Sequence, residues 1–304
     1  MTTVRVFAPA KINLTLHVTG CRKDGYHLLD TLVAFAPVGD RLTFQPGNIL
    51  SLTVEGPEAA GVPADMDNLA LRAAMLVSQS RGAAIVLEKF LPAASGIGGG
   101  SSDAAAAFRG MLAFGGPGDA MADTAWAMPP VIVETHARGL LDLGADVPMC
   151  LMPRPLRARG IGEKLDFVDL PPLPAVLANP RVPLQTRDVF KQLAMQDNPP
   201  MPEKLPEFFD AETLIGWLAD QRNDLEAPAC AIAPVISDML SDLRLLEGCA
   251  LARMSGSGAT CFGLFTDIEA GKAAAKALRK MHADWWIAGG LLGDQVTRAA
   301  PQVS

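Results

Sequence analysis

Residues 91–107 read LPAASGIGGGSSDAAAA, and no other run limits the possible folds of this chain as strongly. Four glycines fall between Gly96 and Gly100, two serines follow, and an alanine-rich stretch starts at Ala104. Glycine lets backbone N–H groups turn toward a ligand without interference from a Cβ, and alanine is the strongest helix former. The run therefore predicts a tight loop opening a helix near Ser101, whose unpaired N–H donors and positive dipole end favour an anion such as phosphate. Residues 84–90 are strand-like and feed directly into the loop, giving the order strand, glycine loop, helix. A plain glycine turn in front of a core helix has the same composition, so other segments must decide between the two.

Commoner phosphate loops do not fit. A P-loop ends in Gly-Lys-Ser or Gly-Lys-Thr, whereas Gly100 is followed by Ser101 and Ser102. The dinucleotide fingerprint fails as well, because Ser101 stands where its last glycine or alanine would be.

At 304 residues the chain has room for about two domains. Hydrophobic residues at 49% and charged residues at 19% describe a globular protein with an ample core. A net charge of −7 argues against a nucleic-acid partner, whose recognition depends on clustered lysine and arginine. No run approaches a membrane span and the start lacks a signal-peptide pattern, so the expected location is the cytoplasm. Five scattered cysteines without C-x-x-C spacing read as reduced thiols, and the four histidines show no zinc pattern.

Residues 4–7 and 11–18 read as two strands parted by Pro9. In the second, Ile12, Leu14, Leu16 and Val18 alternate with Lys11, Asn13, Thr15 and His17, which sets Lys11 and Asn13 on one polar face. A polar loop over 20–27 precedes strand-like residues 28–35, 42–44 and 50–54, and residues 68–80 have helical apolar spacing. Pro129-Pro130 predicts a departure from regular helix within 115–134, since an interior proline costs about 3 kcal/mol or more. Pro153 and Pro155 mark an expected domain boundary, giving units 1–154 and 155–304. In the second unit, residues 175–177, 251–254 and 260–265 read as strands and 231–246 and 268–281 as helices, with a surface loop at 198–202.

Three segments, in order, resemble the three motifs of the GHMP kinase superfamily. They are Ala8-Pro9-Ala10-Lys11-Ile12-Asn13-Leu14, then Pro92 with Gly96-Ile97-Gly98-Gly99-Gly100-Ser101-Ser102-Asp103-Ala104-Ala105, then Met254-Ser255-Gly256-Ser257-Gly258-Ala259-Thr260. Further segments resemble the branch that phosphorylates a diphosphocytidyl methylerythritol on the non-mevalonate route to isoprenoids. These are Asp24-Gly25-Tyr26-His27, Leu143-Gly144-Ala145-Asp146-Val147-Pro148, Arg159-Gly160-Ile161-Gly162-Glu163, Asn179-Pro180 with Thr186 and Phe190, and Asn223-Asp224-Leu225-Glu226. Tyr26-His27 and Asp146-Val147-Pro148 discriminate among relatives, because the glycine loops are common to all.

The resemblance implies an α+β fold of two domains with nucleotide and substrate in the cleft between them. It implies ATP as phosphoryl donor with Mg²⁺, held mainly by ATP oxygens and water, and a small-molecule alcohol as acceptor. Asp146 is then the general base and Lys11 its electrostatic partner, whereas on spacing alone Asp146 caps a turn and Lys11 is a solvated strand residue. Pro92, Gly96, Gly98, Gly99, Gly100, Ser101 and Ser102 form the nucleotide cradle, with the two serine hydroxyls as added donors. Tyr26 and His27, with Phe190 opposite, grip the cytosine, and Asn13 bonds substrate or orients Lys11. Adenine contacts are expected from 50–68. The chain is expected to act on a small molecule, without nucleic-acid or membrane partners, as a monomer or weak homodimer. Two other readings stay open: a homoserine- or mevalonate-type kinase, and a non-catalytic nucleotide-binding relative, to which Phe90 and the 115–134 segment lend weight.

Overall fold

The computed structural model describes residues 2–79, 81–115 and 130–304. Its first sheet is built from β1 (Val4–Asn13), β2 (His17–Cys21), β3 (His27–Pro46), β4 (Leu50–Glu55), β5 (Ala83–Glu88), β6 (Leu156–Gly160) and β7 (Lys164–Phe167). The order β1-β3-β5-β4 forms one end, β2 and β6 flank the start of β3, and β7 pairs with β6. Only β4 and β5 run parallel within this sheet.

Pro9 does not divide two strands. It lies inside β1, opposite Gly39, and the pairing register shifts between Pro9 and Lys11. A bulge is one of the few sheet positions where a missing N–H leaves no regular ladder bond unmade. The expected strands at 28–35 and 42–44 are likewise one long strand, β3.

Helix α1 (Leu69–Val77) starts at Asn68, whose side chain accepts the Ala70 N–H at 2.8 Å, a regular N-cap. Helix α2 (Gly99–Gly115) follows the glycine loop and buries Ala104, Ala105, Ala106, Ala107 and Phe108 in the core that holds Val6, Phe35, Leu42, Phe44, Ile85 and Leu87. Four small side chains in succession let the helix backbone approach the sheet closely, which places its N-terminus against β1. Helix α3 (Pro130–Leu143) begins at a proline, the helix position where a missing N–H costs least. The remainder of the expected irregular segment, 116–129, lies outside the described residues. Helix α4 (Val147–Leu151) begins just after Asp146.

The second sheet contains β8 (Leu173–Asn179), β9 (Leu251–Met254), β10 (Cys261–Leu264) and β11 (Trp286–Leu292), in the order β11-β8-β10-β9, with every neighbour antiparallel. Strand β8 is buried on both faces. Ala175 and Leu177 share a core with Ala10, Ile12 and Leu32 of the first sheet and with Leu14, just past the end of β1. Val176 and Ala178 belong to the core on the other side. Helices α5 (Thr186–Lys191), α6 (Ala211–Ala219), α7 (Glu226–Ile232), α8 (Val235–Leu245), α9 (Ile268–Met281) and α10 (Val296–Ala299) complete this half. The helix expected over 231–246 is two helices, because Pro234 cannot continue α7 and instead precedes the first turn of α8.

Strands β6 and β7 join the first sheet beyond Pro155, and β12 (Gln302–Val303) returns from the C-terminus to pair with β1. Pro153 and Pro155 both lie just before β6, whose partner β3 stands more than a hundred residues upstream, where local composition carries no sign of it. Among the described residues no helix is long and apolar enough to cross a membrane.

Candidate active site

A cavity of about 600 Å³ lies where the glycine loop, β1, the start of α4 and α5 face one another. Lys11 and Asn13, two positions apart in β1, project to the same side as the alternation predicts. Lys11 Nζ donates to Asn13 Oδ1 at 2.8 Å and lies 2.9 Å from Asp146 Oδ2. The ammonium side chain is 5% exposed and the carboxylate 39%, so the pair sits at the boundary between protein and cavity. Asn13 is itself held, its amide donating to Thr31 Oγ1 at 2.8 Å, and Thr31 donating to the Thr15 carbonyl at 2.5 Å. An ammonium has three N–H groups, so with two engaged one stays available to an oxygen in the cavity.

Gly96 and Gly98 have φ of +76° and +65°, a backbone region that L side chains rarely adopt. A Cβ on Gly96 would come within 2.6 Å of the Ser255 carbonyl, and one on Gly98 within 3.0 Å of Lys11 Cε. The glycine loop is thus wedged between β1 and the third motif. Ser255 Oγ closes the contact, accepting the Asn13 N–H at 3.0 Å and donating to the Gly96 carbonyl at 3.2 Å.

Arg109, in the middle of α2, is fully buried and has no carboxylate partner among the described residues. It donates to the carbonyls of Cys150 (2.7 Å), Leu151 (3.2 Å), Phe7 (3.1 Å) and Ala299 (3.2 Å). Desolvation brings its pKa down to about 10, still a cation at neutral pH. One guanidinium therefore ties together the cradle helix, the strand of Lys11 and the helix that follows Asp146.

Pro92, Gly96, Gly98, Gly99, Gly100 and Ser101 all line the cavity. Ser102 does not: its hydroxyl donates to the Pro9 carbonyl at 2.7 Å and its N–H to Gly98, so it fastens the helix start to β1 rather than facing a phosphate. The adenine side expected from 50–68 contributes Gly61, Val62, Pro63, Asp67 and Asn68. Phe190 lines the cavity and stacks on His27, with ring centroids 4.5 Å apart. Burial holds the His27 pKa below its ordinary value. Tyr26 stands beside this pair at the end of the β2–β3 hairpin, 59% exposed and outside the cavity wall. Phe90 points elsewhere, under the Arg41 guanidinium, and does not obstruct the cradle.

Lys89 is a cavity residue that the sequence does not single out. It follows β5, lines the cavity, and ion-pairs with Asp40 and, at 2.6 Å, with Asp103. Asp40 Oδ1 accepts the N–H groups of Phe90 (2.5 Å) and Leu91 (2.9 Å), fixing the chain as it enters the glycine loop. Burial pushes the Asp103 carboxyl well above the usual range, reinforced by Asp40 and opposed by Lys89. Burial pulls Lys89 downward, but the two carboxylates outweigh it and its net direction is upward. A signal was present: Lys89 continues the inward register of Ile85 and Leu87, and a charged residue in a buried register needs a partner. The segment 223–226 also finds its purpose here. Asn223 donates to the Met254 and Gly256 carbonyls, and Glu226 accepts the Met254 N–H, so this segment holds the third motif in shape.

The pattern described as "GHMP kinases N terminal domain" matches residues 68–153, and "GHMP kinases C terminal" matches 209–284. The chain is 50% identical over 302 residues to the 4-diphosphocytidyl-2-C-methyl-D-erythritol kinase of Roseobacter denitrificans, covering 99% of this chain and 97% of that one. It is 54% identical over 283 residues to the enzyme of the same name from Dinoroseobacter shibae, covering 93% and 92%. A crystal structure of a 4-(cytidine 5′-diphospho)-2C-methyl-D-erythritol kinase superposes with a TM-score of 0.73 at 35% identity, covering 95% of this chain and 99% of the other. Homoserine kinase from Cytophaga hutchinsonii, at 20% identity and TM-score 0.60, shares the fold.

Proposed function

The chain belongs to the GHMP kinases, in their 4-diphosphocytidyl-2-C-methyl-D-erythritol kinase branch, and we propose that it transfers the γ-phosphoryl group of ATP to the 2-hydroxyl of that acceptor. The observation that carries this reading is the approach of Lys11 Nζ to 2.9 Å from Asp146 Oδ2 at the wall of the cavity bordered by the glycine loop. Asp146 takes the proton from the hydroxyl as its oxygen attacks the γ-phosphorus in line. The new P–O bond forms as the bond to the β,γ-bridging oxygen breaks, and ADP leaves. Lys11 offsets charge on the attacking oxygen and holds the carboxylate in place, and a positioned base contributes typically about 10²–10⁴-fold.

The N–H groups at the start of α2 and in the glycine loop receive the triphosphate. Magnesium fits the same cavity as an ion carried by the nucleotide. Among the described residues no cluster of three or more His, Cys, Asp or Glu side chains is arranged to hold a metal, whereas Asp103 lines the cavity and its Oδ1 is buried without a partner. Mg²⁺ commonly takes phosphate oxygens, water and one or two carboxylates, and it would neutralise charge on the phosphates. At the other end, rings 4.5 Å apart leave no room for a base between His27 and Phe190. The cytosine therefore lies beside the pair, against the exposed Tyr26 ring, and neutral His27 offers an acceptor ring nitrogen to the base edge.

An ADP-coupled assay with the diphosphocytidyl acceptor, homoserine and mevalonate tests this reading. Turnover is expected with the first alone. Preference for either of the others would overturn the acceptor assignment, and no turnover with any of the three would overturn the catalytic one.

A further inference from the structure

We infer that Arg187 reads the diphosphate of the acceptor and so makes the chain select a nucleoside-diphosphate-linked alcohol over a neutral one. This rests on the acceptor assignment above. Among the described residues, three cations line the cavity: Lys11, Lys89 and Arg187. Lys11 is committed to Asp146, and Lys89 to Asp40 and Asp103. Arg187 alone has no hydrogen bond, ion pair or ring contact among the described residues. A cavity that receives both a triphosphate and a diphosphate thus holds one cation not neutralised by a neighbouring carboxylate.

Its place in the fold says which of the two ligands it meets. Arg187 is the second residue of α5 and stands three before Phe190, so the two share one helix face. Phe190 carries the stack with His27, at the base-binding end. On the other side, Thr186 Oγ1 lies 2.8 Å from Ser257 Oγ in the third motif, next to the glycine loop. Arg187 therefore stands between the place for the cytosine and the place for the reacting alcohol. In the acceptor the diphosphate occupies that same interval, joining nucleoside to methylerythritol. A guanidinium offers paired N–H donors that match phosphate oxygens.

The test compares cytidine 5′-diphosphate with cytidine as calorimetric probes, on the full chain and on Arg187→Ala and Arg187→Lys. Arg187→Ala is expected to raise the Kd for cytidine diphosphate about tenfold while leaving that for cytidine unchanged, with Arg187→Lys in between. In steady state the acceptor KM rises and kcat and the ATP KM hold. Equal loss for both probes, or a rise in the ATP KM in place of the acceptor KM, would overturn the role of Arg187. So would normal cytidine diphosphate binding by Arg187→Ala. Failure of the unsubstituted chain to bind cytidine diphosphate would instead sink the acceptor assignment, and this inference with it.

Discussion

Lys89→Met is the most informative single change, because it removes the cation from between two buried carboxylates. Lys89, Asp40 and Asp103 are each less than 6% exposed, and Lys89 donates to both acids. Removing one partner of a buried ion pair typically costs about 3–5 kcal/mol, since the remaining charge is left without compensation. At about 2–4 °C per kcal/mol for a chain of this order of size, Tm should fall on the order of 10 °C. The loss should depend on pH. The Asp103 carboxyl is raised in the folded chain, so between the unfolded and folded carboxylate ranges the native state holds a proton that the unfolded state has released. Stability from this group accordingly declines as pH rises from about 4, the unfolded value, through the folded value. Taking away Lys89 removes the one influence that pulls Asp103 down and extends that decline. The difference in Tm between the two proteins should therefore be larger at pH 8 than at pH 5, and Lys89→Met with Asp103→Asn should recover part of it. Differential scanning calorimetry at both pH values provides the measurement. Wild-type stability in Lys89→Met, or a deficit equal at both pH values, would refute the account of a carboxylate pair held by one ammonium.

Asp146→Asn should lower kcat by about 10²–10⁴-fold with an unchanged nucleotide Kd, measured by coupled assay and calorimetry, since the amide keeps the shape and loses the base. Lys11→Ala should lower kcat/KM strongly, and an unchanged value would remove Lys11 from the reaction. Cytidine affinity should weaken as pH falls below about 6.5, because protonation removes the acceptor nitrogen of His27, whose pKa burial already depresses; a titration flat from pH 5 to 8 would exclude His27 from the base edge. Arg109→Met should cost at least about 3 kcal/mol in urea unfolding, since four backbone carbonyls lose a shared donor, with a lower kcat in the protein that remains folded.

Much of the site was readable locally. The strand, glycine loop and helix order and the common face of Lys11 and Asn13 depend on neighbouring residues and on the geometry of a single strand or helix. Lys89 was harder to see, since its lysine type signals solvent while its register signals the core, and the conflict resolves only once Asp40, 49 residues away, is known to lie against it. Ser102 shows the opposite error. Its type and place beside Ser101 suggest a second phosphate donor, but one residue along a helix is a turn of about 100°, and that rotation directs its hydroxyl to Pro9.

What the linear chain determined by itself was therefore the chemistry on offer: an anion-binding loop, a lysine with an asparagine on one polar edge, and an aspartate at a turn before Pro148. Only the tertiary structure decided which of these meet. Lys11 and Asp146 are 135 positions apart, and they converge because β1 and α4 both pack against α2 and Arg109 ties their carbonyls together. The same long-range pairing carried β6, β7 and β12 into the first sheet. Local preference acts over a few residues, whereas closing an ion pair or a sheet edge depends on the summed burial of side chains far apart in the chain, which no short window contains.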